Sequence, residues 1–341
     1  MRPAVYGRAE ARPVTGKVAA VYNPRSGKRR GQRAAEELRD LLAGMDGPPV
    51  ELHATQYAFH AAELVRGLEL GPGDLVVAVG GDGTLSEVIT GLMERAGDGP
   101  RVPVAVLPAG TGNCVAVDLG FRTVRQVAEA IVRGTFTDVD LCEASYVKGL
   151  PGSEQAAKGE RATTYICNMM GYGLGVDANI AAERLRWLGP LRYDVGIVQE
   201  IIKARQRKTR FTVDGTAFAL DASLVLLMNT QCTGKNLPLA PFSQMDDGKI
   251  DFLILENKSR LETLKLFNAC KAQGRHVFAK SGVHYLRVKE SLTIETDAPE
   301  AINIDGENVG STPFSMKFLP GAIPLLLPGP AAAPAGGGDR L

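Results

Sequence analysis

Between residues 16 and about 134, short apolar runs alternate with stretches whose apolar residues recur every three or four positions. KVAAVYN, VELHAT, DLVVAVG and VPVAVLP read as strands. Between them Ala34, Ala35, Leu38, Leu41 and Leu42 fall on one helical face, as do Ala61, Leu64, Val65 and Leu68, then Leu85, Val88, Ile89, Leu92 and Met93. A last helix carries Val124, Val127, Ala128, Ile131 and Val132. Such alternation predicts βαβ units and an open α/β layer with a parallel sheet. After Gly134 the text becomes β-rich: TDVDLCEASYV, TTYICNMMG, TRFTVDGTAFALDASLVLLMN, KIDFLILE, VHYLRVKESLTIETD and AINIDGENV. Asp214-Gly215 and Asp305-Gly306 stand between alternating runs, as hairpin turns require. Helical patterns interrupt this half at about 178 to 206 and 260 to 273, which predicts an antiparallel sandwich or barrel with a few helices.

Composition adds limits to this picture. A chain of 341 residues suggests two domains. With 38 acidic against 39 basic side chains, nucleic-acid binding through a general basic surface is not expected. The five cysteines are scattered and show no CxxC spacing, so neither a disulfide framework nor a zinc site is predicted and a reduced, cytoplasmic setting fits. The first 17 residues lack the apolar core of a signal peptide, and the apolar stretch AIPLLLPGPAAAPAGGG is broken by prolines, against a spanning helix. The chain is expected to be soluble, with frayed ends at 1–14 and 329–341.

Three loops leave the carboxyl ends of the predicted parallel strands. Gly80-Gly81-Asp82-Gly83-Thr84 opens an amphipathic helix, with Thr84 placed as N-cap and Glu87 as its capping-box partner. Amides at such a helix start attract anions, and glycines let a phosphate approach the backbone. LPAGTGN at Leu107 to Asn113 and NPRSGKRR at Asn23 to Arg30 leave the same sheet edge, where open α/β sheets bind ligands. NPRSGK lacks the first glycine of a P-loop, Tyr22 standing there, and no strand is followed by GxGxxG.

Taken together, these segments resemble the diacylglycerol kinase catalytic-domain family, which includes bacterial lipid kinases, sphingosine kinases and ceramide kinases. Asn23-Pro24-Arg25-Ser26-Gly27, Gly80 to Thr84 and Gly110-Thr111-Gly112-Asn113 match in order and spacing. In the second half, Asn168 to Ala178 looks like the family's N-x-x-G-x-G-x-D-A segment, Ala240-Pro241 with Asp246 to Asp251 like A-P…D-D-G-x-L-D, and Asp305-Gly306-Glu307 like its late D-G-E. The resemblance covers about residues 16 to 327. It implies an ATP-binding α/β domain at 15–135, a β-rich lipid-substrate domain at 136–312 and a segment at 313–328 that returns to the first domain, with the active site in the cleft between the two domains.

The resemblance also implies roles. ATP would be contacted by Asn23, Pro24, Arg25, Ser26 and Gly27, by Thr55, by Gly80, Gly81, Asp82, Gly83, Thr84 and Glu87, and by Gly110, Thr111, Gly112 and Asn113. Asp305 matches the base of bacterial lipid kinases, with Glu307 beside it. Asp82 is the other carboxylate candidate and is assigned to nucleotide and Mg2+ positioning, a hard ion suiting oxygen ligands. Asp247, helped by Gln244 and the Lys249 carbonyl, matches a structural Mg2+ site found in part of the family. Ser86 stands where many members have Asn, and Cys114 stands where bacterial diacylglycerol kinases commonly have Asp; a small uncharged residue at the latter place is more like the sphingosine kinase branch. The expected product is a phosphorylated lipid made at a membrane surface, and a homodimer is left open. IAAERLRWLGPLRY at 180–193 and KARQRKTR at 203–210 suit interfacial docking. The rivals are an NAD kinase-like enzyme, which shares GGDGT but whose Asn-Glu motif is missing, and a non-catalytic nucleotide- or lipid-binding regulator on the same fold.

Overall fold

The computed structural model describes residues 9–95, 101–203, 205–233, 237–271, 274–279 and 282–329. Most of the two ends expected to be frayed, 1–8 and 330–341, lies outside these residues. The rest of the N-terminal stretch is ordered: β1 (Glu10–Ala11) pairs antiparallel with Phe136 and Thr135, and the Arg12 amide donates to the Gly134 carbonyl.

The first layer runs β2 (Val18–Tyr22), α1 (Ser26–Gly44), β3 (Val50–Ala54), α2 (His60–Gly67), β4 (Leu75–Gly80), α3 (Asp82–Met93), β5 (Val104–Pro108), α4 (Cys114–Leu119) and α5 (Val124–Arg133). Its strands pair in the order β3-β2-β4-β5, all parallel. Every residue of β4 is buried, because helices cover both faces of a parallel sheet and leave no polar side. Leu38 and Leu42 of α1, Leu85 and Ile89 of α3 and Val127 and Ile131 of α5 fill the interior against these strands. Helix α5 starts with a true capping box, in which Thr123 Oγ accepts from the Gln126 amide and Gln126 returns an acceptor to the Thr123 amide.

The second half contains β6 (Thr135–Lys148), α6 (Glu154–Ala157), β7 (Arg161–Ile166), β8 (Met169–Gly173), α7 (Leu174–Arg184), a 3-10 turn at Arg186–Leu191, α8 (Arg192–Lys203), β9 (Lys208–Val213), β10 (Thr216–Met228), β11 (Ile250–Glu256), α9 (Arg260–Lys271), a second 3-10 turn at Arg275–Phe278, β12 (Val283–Val288), β13 (Ser291–Thr296), β14 (Ala301–Ile304) and β15 (Glu307–Leu326). One antiparallel face runs β12-β11-β10-β8-β14-β15 and the other β9-β13-β15-β6-β7. Two long strands serve both faces, β10 through its hairpin with β9 and β15 through β13 and β14. Tyr172, Phe211, Phe252 and Phe314 are enclosed between them. The alternation along β9 and β13, exposed then buried, is what a sheet with one face on a core produces. Beyond the sandwich, β15 continues until Leu325 pairs in parallel with Val104 of β5.

Two glycines of the Asn168–Ala178 segment are explained by close packing. A Cβ on Gly171 would stand 2.2 Å from the Val225 carbonyl oxygen, and Gly173 turns at φ +95° into α7. Asp177 of the same segment binds Arg207, whose side chain is only 3% exposed and whose Nε also reaches Glu300 at 2.9 Å. Replacing Arg207 with Met would leave Glu300 without its cation and Asp177 with only the half-exposed Arg205 at 3.7 Å. A loss of about 3–5 kcal/mol is expected, to be read as a lower urea midpoint at unchanged slope; a shift equivalent to less than about 1 kcal/mol would show that the pair is not a structural tie.

Candidate active site

The three loops at the carboxyl ends of β2, β4 and β5 are built against one another. Asn23 Oδ1 accepts from the Arg25 amide at 2.9 Å, Ser26 Oγ donates to the Ala109 carbonyl, and Gly27 at φ +52° brings its Cα so near that a Cβ would lie 2.0 Å from that oxygen. The amides of Ala109 and Gly110 both donate to the Gly80 carbonyl. A Cβ on Gly110 would be 2.5 Å from Gly81 Cα. Asn113, itself at φ +54°, closes the loop by bonding both the amide and the carbonyl of Gly110. Arg30 ties two loops by donating to the carbonyls of Gly27 and Gly110.

The glycines therefore divide into two kinds. Gly80 faces Thr84 Oγ1, 2.3 Å from a notional Cβ, and Gly81 and Gly110 face each other. Gly83 has space in front of it, the nearest atom being Glu307 Cγ at 3.8 Å. Helix α3 begins at Asp82 with Gly81 as N-cap, so the amides of Gly83 and Thr84 have no acceptor earlier in the helix. This corrects the capping reading. Thr84 is not the N-cap, and Glu87 reaches away to accept from the amides of Phe59 and Ala61, capping α2 instead.

A cleft of about 1620 Å³ opens over these loops. Of the residues expected to contact nucleotide, Asn23, Pro24, Arg25, Ser26, Gly27, Thr55, Gly81, Asp82, Gly83, Thr84, Glu87, Gly110, Thr111 and Gly112 line it. Gly80 and Asn113 do not, because one is a buried strand end and the other spends its side chain on Gly110. From the second half the cleft receives Asn168, Asp305, Gly306 and Glu307, together with Ser86 from α3. Sequence patterning missed the aromatic edge formed by Tyr57 and Phe59, 55% and 58% exposed, because HATQYAFHA gives no periodic signal there.

The carboxylates around this cleft are held differently. Asp82 Oδ2 accepts from the Cys114 amide at 2.8 Å and Oδ1 from the Val115 amide at 3.0 Å, so the side chain caps α4, whose own N-cap Asn113 supplies no acceptor. Burial raises its pKa and those two amides oppose the rise. Burial also raises Glu87, with the Glu307 carboxylate adding to the rise. Asp305 sits at φ +49° in the turn before β15, and its Oδ1 accepts from the Met169 amide at 2.8 Å. Its Oδ2 is buried and makes no hydrogen bond in this arrangement; the Ser86 hydroxyl stands close enough to act on the carboxylate but is donated to the Tyr165 carbonyl at 3.3 Å. Burial pushes Asp305 up to about 7, opposed by the Met169 amide, the Ser86 hydroxyl and the Asn168 amide and reinforced by the Asp82 charge.

Two further acids went unread in the sequence. Asp118 accepts from the Gln231 amide at 2.6 Å and is raised by burial to about 6. Asp140, 2% exposed, gathers the amides of Gly248 and Gly321 and thereby pins the Asp246–Lys249 turn to β15. Nothing local marks either residue, because their partners lie 113, 108 and 181 positions away. Asp247 stands near enough to Asp140 to raise its pKa, while Gln244 is exposed, and Gln244, Asp247 and Lys249 all lie off the cleft lining. Among the described residues no group of three or more His, Cys, Asp or Glu side chains is arranged to hold a metal ion, and no helix is long and apolar enough to cross a membrane.

With this geometry in hand, likeness to known proteins becomes informative. Residues 17–144 match the diacylglycerol kinase catalytic domain and residues 168–327 the YegS C-terminal NAD kinase β-sandwich-like domain. The chain is 27% identical over 339 residues to sphingosine kinase 2 of Arabidopsis thaliana, covering 84% of this chain and 67% of that protein. It is 28% identical over 319 residues to a diacylglycerol kinase of Mycobacterium tuberculosis, covering 92% and 96%. A crystal structure of a diacylglycerol kinase from Bacillus anthracis superposes with a TM-score of 0.68 at 22% identity, over 91% of this chain and 96% of that one, a likeness of fold.

The two kinds of glycine predict opposite outcomes for one substitution. Gly110→Ala forces two loop backbones apart and is expected to lower stability by about 1–3 kcal/mol, whereas Gly83→Ala meets open space and should leave the thermal midpoint nearly unchanged. Equal midpoint losses in both variants would contradict the packing described.

Proposed function

The chain belongs to the diacylglycerol kinase catalytic-domain family, and from that premise we propose that it transfers the γ-phosphate of ATP to the hydroxyl of a lipid, a diacylglycerol or a sphingoid base, with Asp305 as general base. The observation that carries the reading is the half-satisfied carboxylate of Asp305. One oxygen is fixed by the Met169 amide and the other is buried, unpaired and on the cleft, with a pKa near 7 where a base is most effective. Asp82 is the poorer base, because both of its oxygens are occupied by amides. Its part is to hold the start of α4 against the GGDGT loop, so that the amides of Gly83 and Thr84 and those of Thr111 and Gly112 meet the phosphates.

For a Mg2+ ion arriving with the nucleotide, the cleft offers hard carboxylate oxygens at Asp82, Glu87 and Glu307. Asp82 and Glu87 already give both oxygens to amides, and no three acids among the described residues form a cage, so the phosphates and water would supply most of its ligands. Bound there, the ion would neutralise charge on the phosphates. Positioning and electrostatics carry most of phosphoryl transfer, so what the chain itself supplies is alignment: the loops hold the phosphates and Asp305 accepts the hydroxyl proton as the lipid oxygen attacks. The domain bounds 15–135, 136–312 and 313–328 and the structural ion beside Asp247 belong to the same reading.

Incubating the purified protein with γ-labelled ATP and diacylglycerol, sphingoid base, ceramide or NAD tests it. Label is expected in one or more lipids; label in NAD alone, or bound ATP with no transfer, would overturn it. Asp305→Asn should lower turnover by about two to four orders of magnitude with little change in ATP affinity, and should abolish the rise of turnover with pH through about 7 that the wild type shows. Asp82→Asn should lose both turnover and ATP affinity.

Stability provides a second readout for Asp305. Well below the ordinary aspartate value of 3.8 the carboxyl is protonated folded and unfolded alike and contributes nothing. As the pH rises toward 7 the unfolded chain ionises first, the folded chain retains the proton, and stability falls; above about 7 the loss is complete. Asp305→Asn is thus expected to unfold at a higher temperature than wild type at pH 8 and to lose most of that advantage at pH 4. A gain of the same size at both values would place the pKa of Asp305 in the ordinary carboxylate range.

A further inference from the structure

Helices α7 and α8 and the 3-10 turn between them carry apolar side chains that their packing does not use. Inward, Val176, Ala178, Ala182 and Ile201 are buried, and Gly196 lets α8 approach α7 so closely that a Cβ would lie 2.8 Å from the Ala178 carbonyl oxygen. Outward, Trp187 is 80% exposed, Leu191 63%, Ile202 54% and Val198 44%. Leu191, Val195, Val198 and Ile202 follow spacings of four, three and four, which is one continuous stripe along α8, with Trp187 at the kinked turn before it. A stripe of this size facing water marks a surface with a partner. The neighbouring α9 and the turn after it add Leu261 and Phe278, 62% and 71% exposed, and Lys271 of α9 is bound to Asp194 of α8.

The charges on the same elements select the partner. Arg184, Lys203, Arg205, Lys265, Lys271 and Arg275 are exposed. Lys203 and Arg205 are paired with the inward Glu200, Arg205 also with Asp177, and Lys271 with Asp194, so the excess positive charge rests on Arg184, Lys265 and Arg275 against the exposed Glu262 of α9. Two copies of this chain meeting through the stripe would set these cations against one another, whereas an anionic bilayer meets both the apolar stripe and the cations around it. Helices α7 and α9 also pack on the apolar layer that carries Met169, the partner of Asp305: Met169 clusters with Leu224, Leu226 and Met228, and the cluster reaches Leu174 of α7 and Leu266 of α9.

We propose that the outer stripe of the turn and α8, formed by Trp187, Leu191, Val198 and Ile202 with its flanking cations, docks the protein on an anionic lipid bilayer so that lipid enters toward Asp305. The proposal rests on the lipid-kinase reading and names the surface through which it operates. Stripe residues lie in the headgroup region on docking, with the helices parallel to the membrane plane.

Trp187 is the only tryptophan in the chain and so reports on its own insertion. Mixing the protein with phosphatidylcholine vesicles containing phosphatidylserine is expected to shift its emission to shorter wavelength and to sediment the protein, and pure phosphatidylcholine should do so weakly. Leu191→Glu and Ile202→Glu should each reduce vesicle binding by about tenfold or more while leaving phosphorylation of detergent-dispersed lipid unchanged. Unshifted emission with vesicles whose lipid the enzyme does phosphorylate would overturn the proposal. So would emission that is already short without lipid and reddens on dilution, since the stripe would then join two copies. Failure to phosphorylate detergent-dispersed lipid, with vesicle binding and its dependence on Leu191 and Ile202 intact, would instead remove the kinase reading and leave the docking surface standing.

Discussion

Strand β15 must complete hydrogen bonds with four neighbours along 20 residues: β14 and β13 in the sandwich, β6 along nearly its whole length, and β5 of the parallel sheet at Leu325. Unpaired buried backbone groups cost about 1–3 kcal/mol each, so the strand has one path. Asp305-Gly306 is the turn immediately before it, and β5 runs directly into Ala109 to Asn113. Fixing β15 to both sheets therefore fixes Asp305 opposite the glycine loops. Asp140 reinforces the same strand from the side, holding Gly321 where β15 bends toward the first layer.

Buried carboxylates recur through this structure, and the same desolvation acts on each with different results. Asp82 and Asp140 have both oxygens satisfied by amides, and Asp118 caps the Gln231 amide with one of its oxygens. These acids join chain segments. Asp305 shares their burial but keeps one oxygen empty, and a buried group without its partner is costly to maintain for structure alone. Such an arrangement makes sense where the missing partner is a substrate hydroxyl.

Local pattern made the strands and most helices legible, because each depends on residues within a few positions. DLVVAVG could only be a covered strand, and Asp214-Gly215 supplies the left-handed turn between β9 and β10. Thr84 and Glu87 failed for the opposite reason. They satisfy the local grammar of a capping box, but Glu87 is claimed by amides 26 and 28 residues away, and Gly81 is the N-cap. Sequence marked a crowd of glycines without saying which ones face protein: Gly80 makes room for Thr84 of its own loop, Gly81 and Gly110 let two loops meet, and Gly83 is the open one. Helix α4 was missed because six residues make fewer than two helical turns, too short for an apolar face to repeat, and its start is held by Asp82 from another loop.

The charge of the cleft bears on how a nucleotide could be held. Its lining includes the acids Glu63, Asp82, Glu87, Glu94, Asp305 and Glu307 against Arg25, Arg66 and Lys148, and Arg66 is paired with Glu94 at 2.9 Å. Arg30, the cation closest in sequence to the Asn23–Gly27 turn with a defined role, is spent on two carbonyls. Attraction for a polyphosphate therefore falls to backbone amides at helix starts, whose partial charges are small, and to cations that accompany the ligand. A site of this polarity repels free polyphosphate and accepts it once neutralised. The acidic lining thus favours a polyphosphate already neutralised by cations, and one of its members, Asp82, adds to the dominant effect of burial in raising the pKa of Asp305.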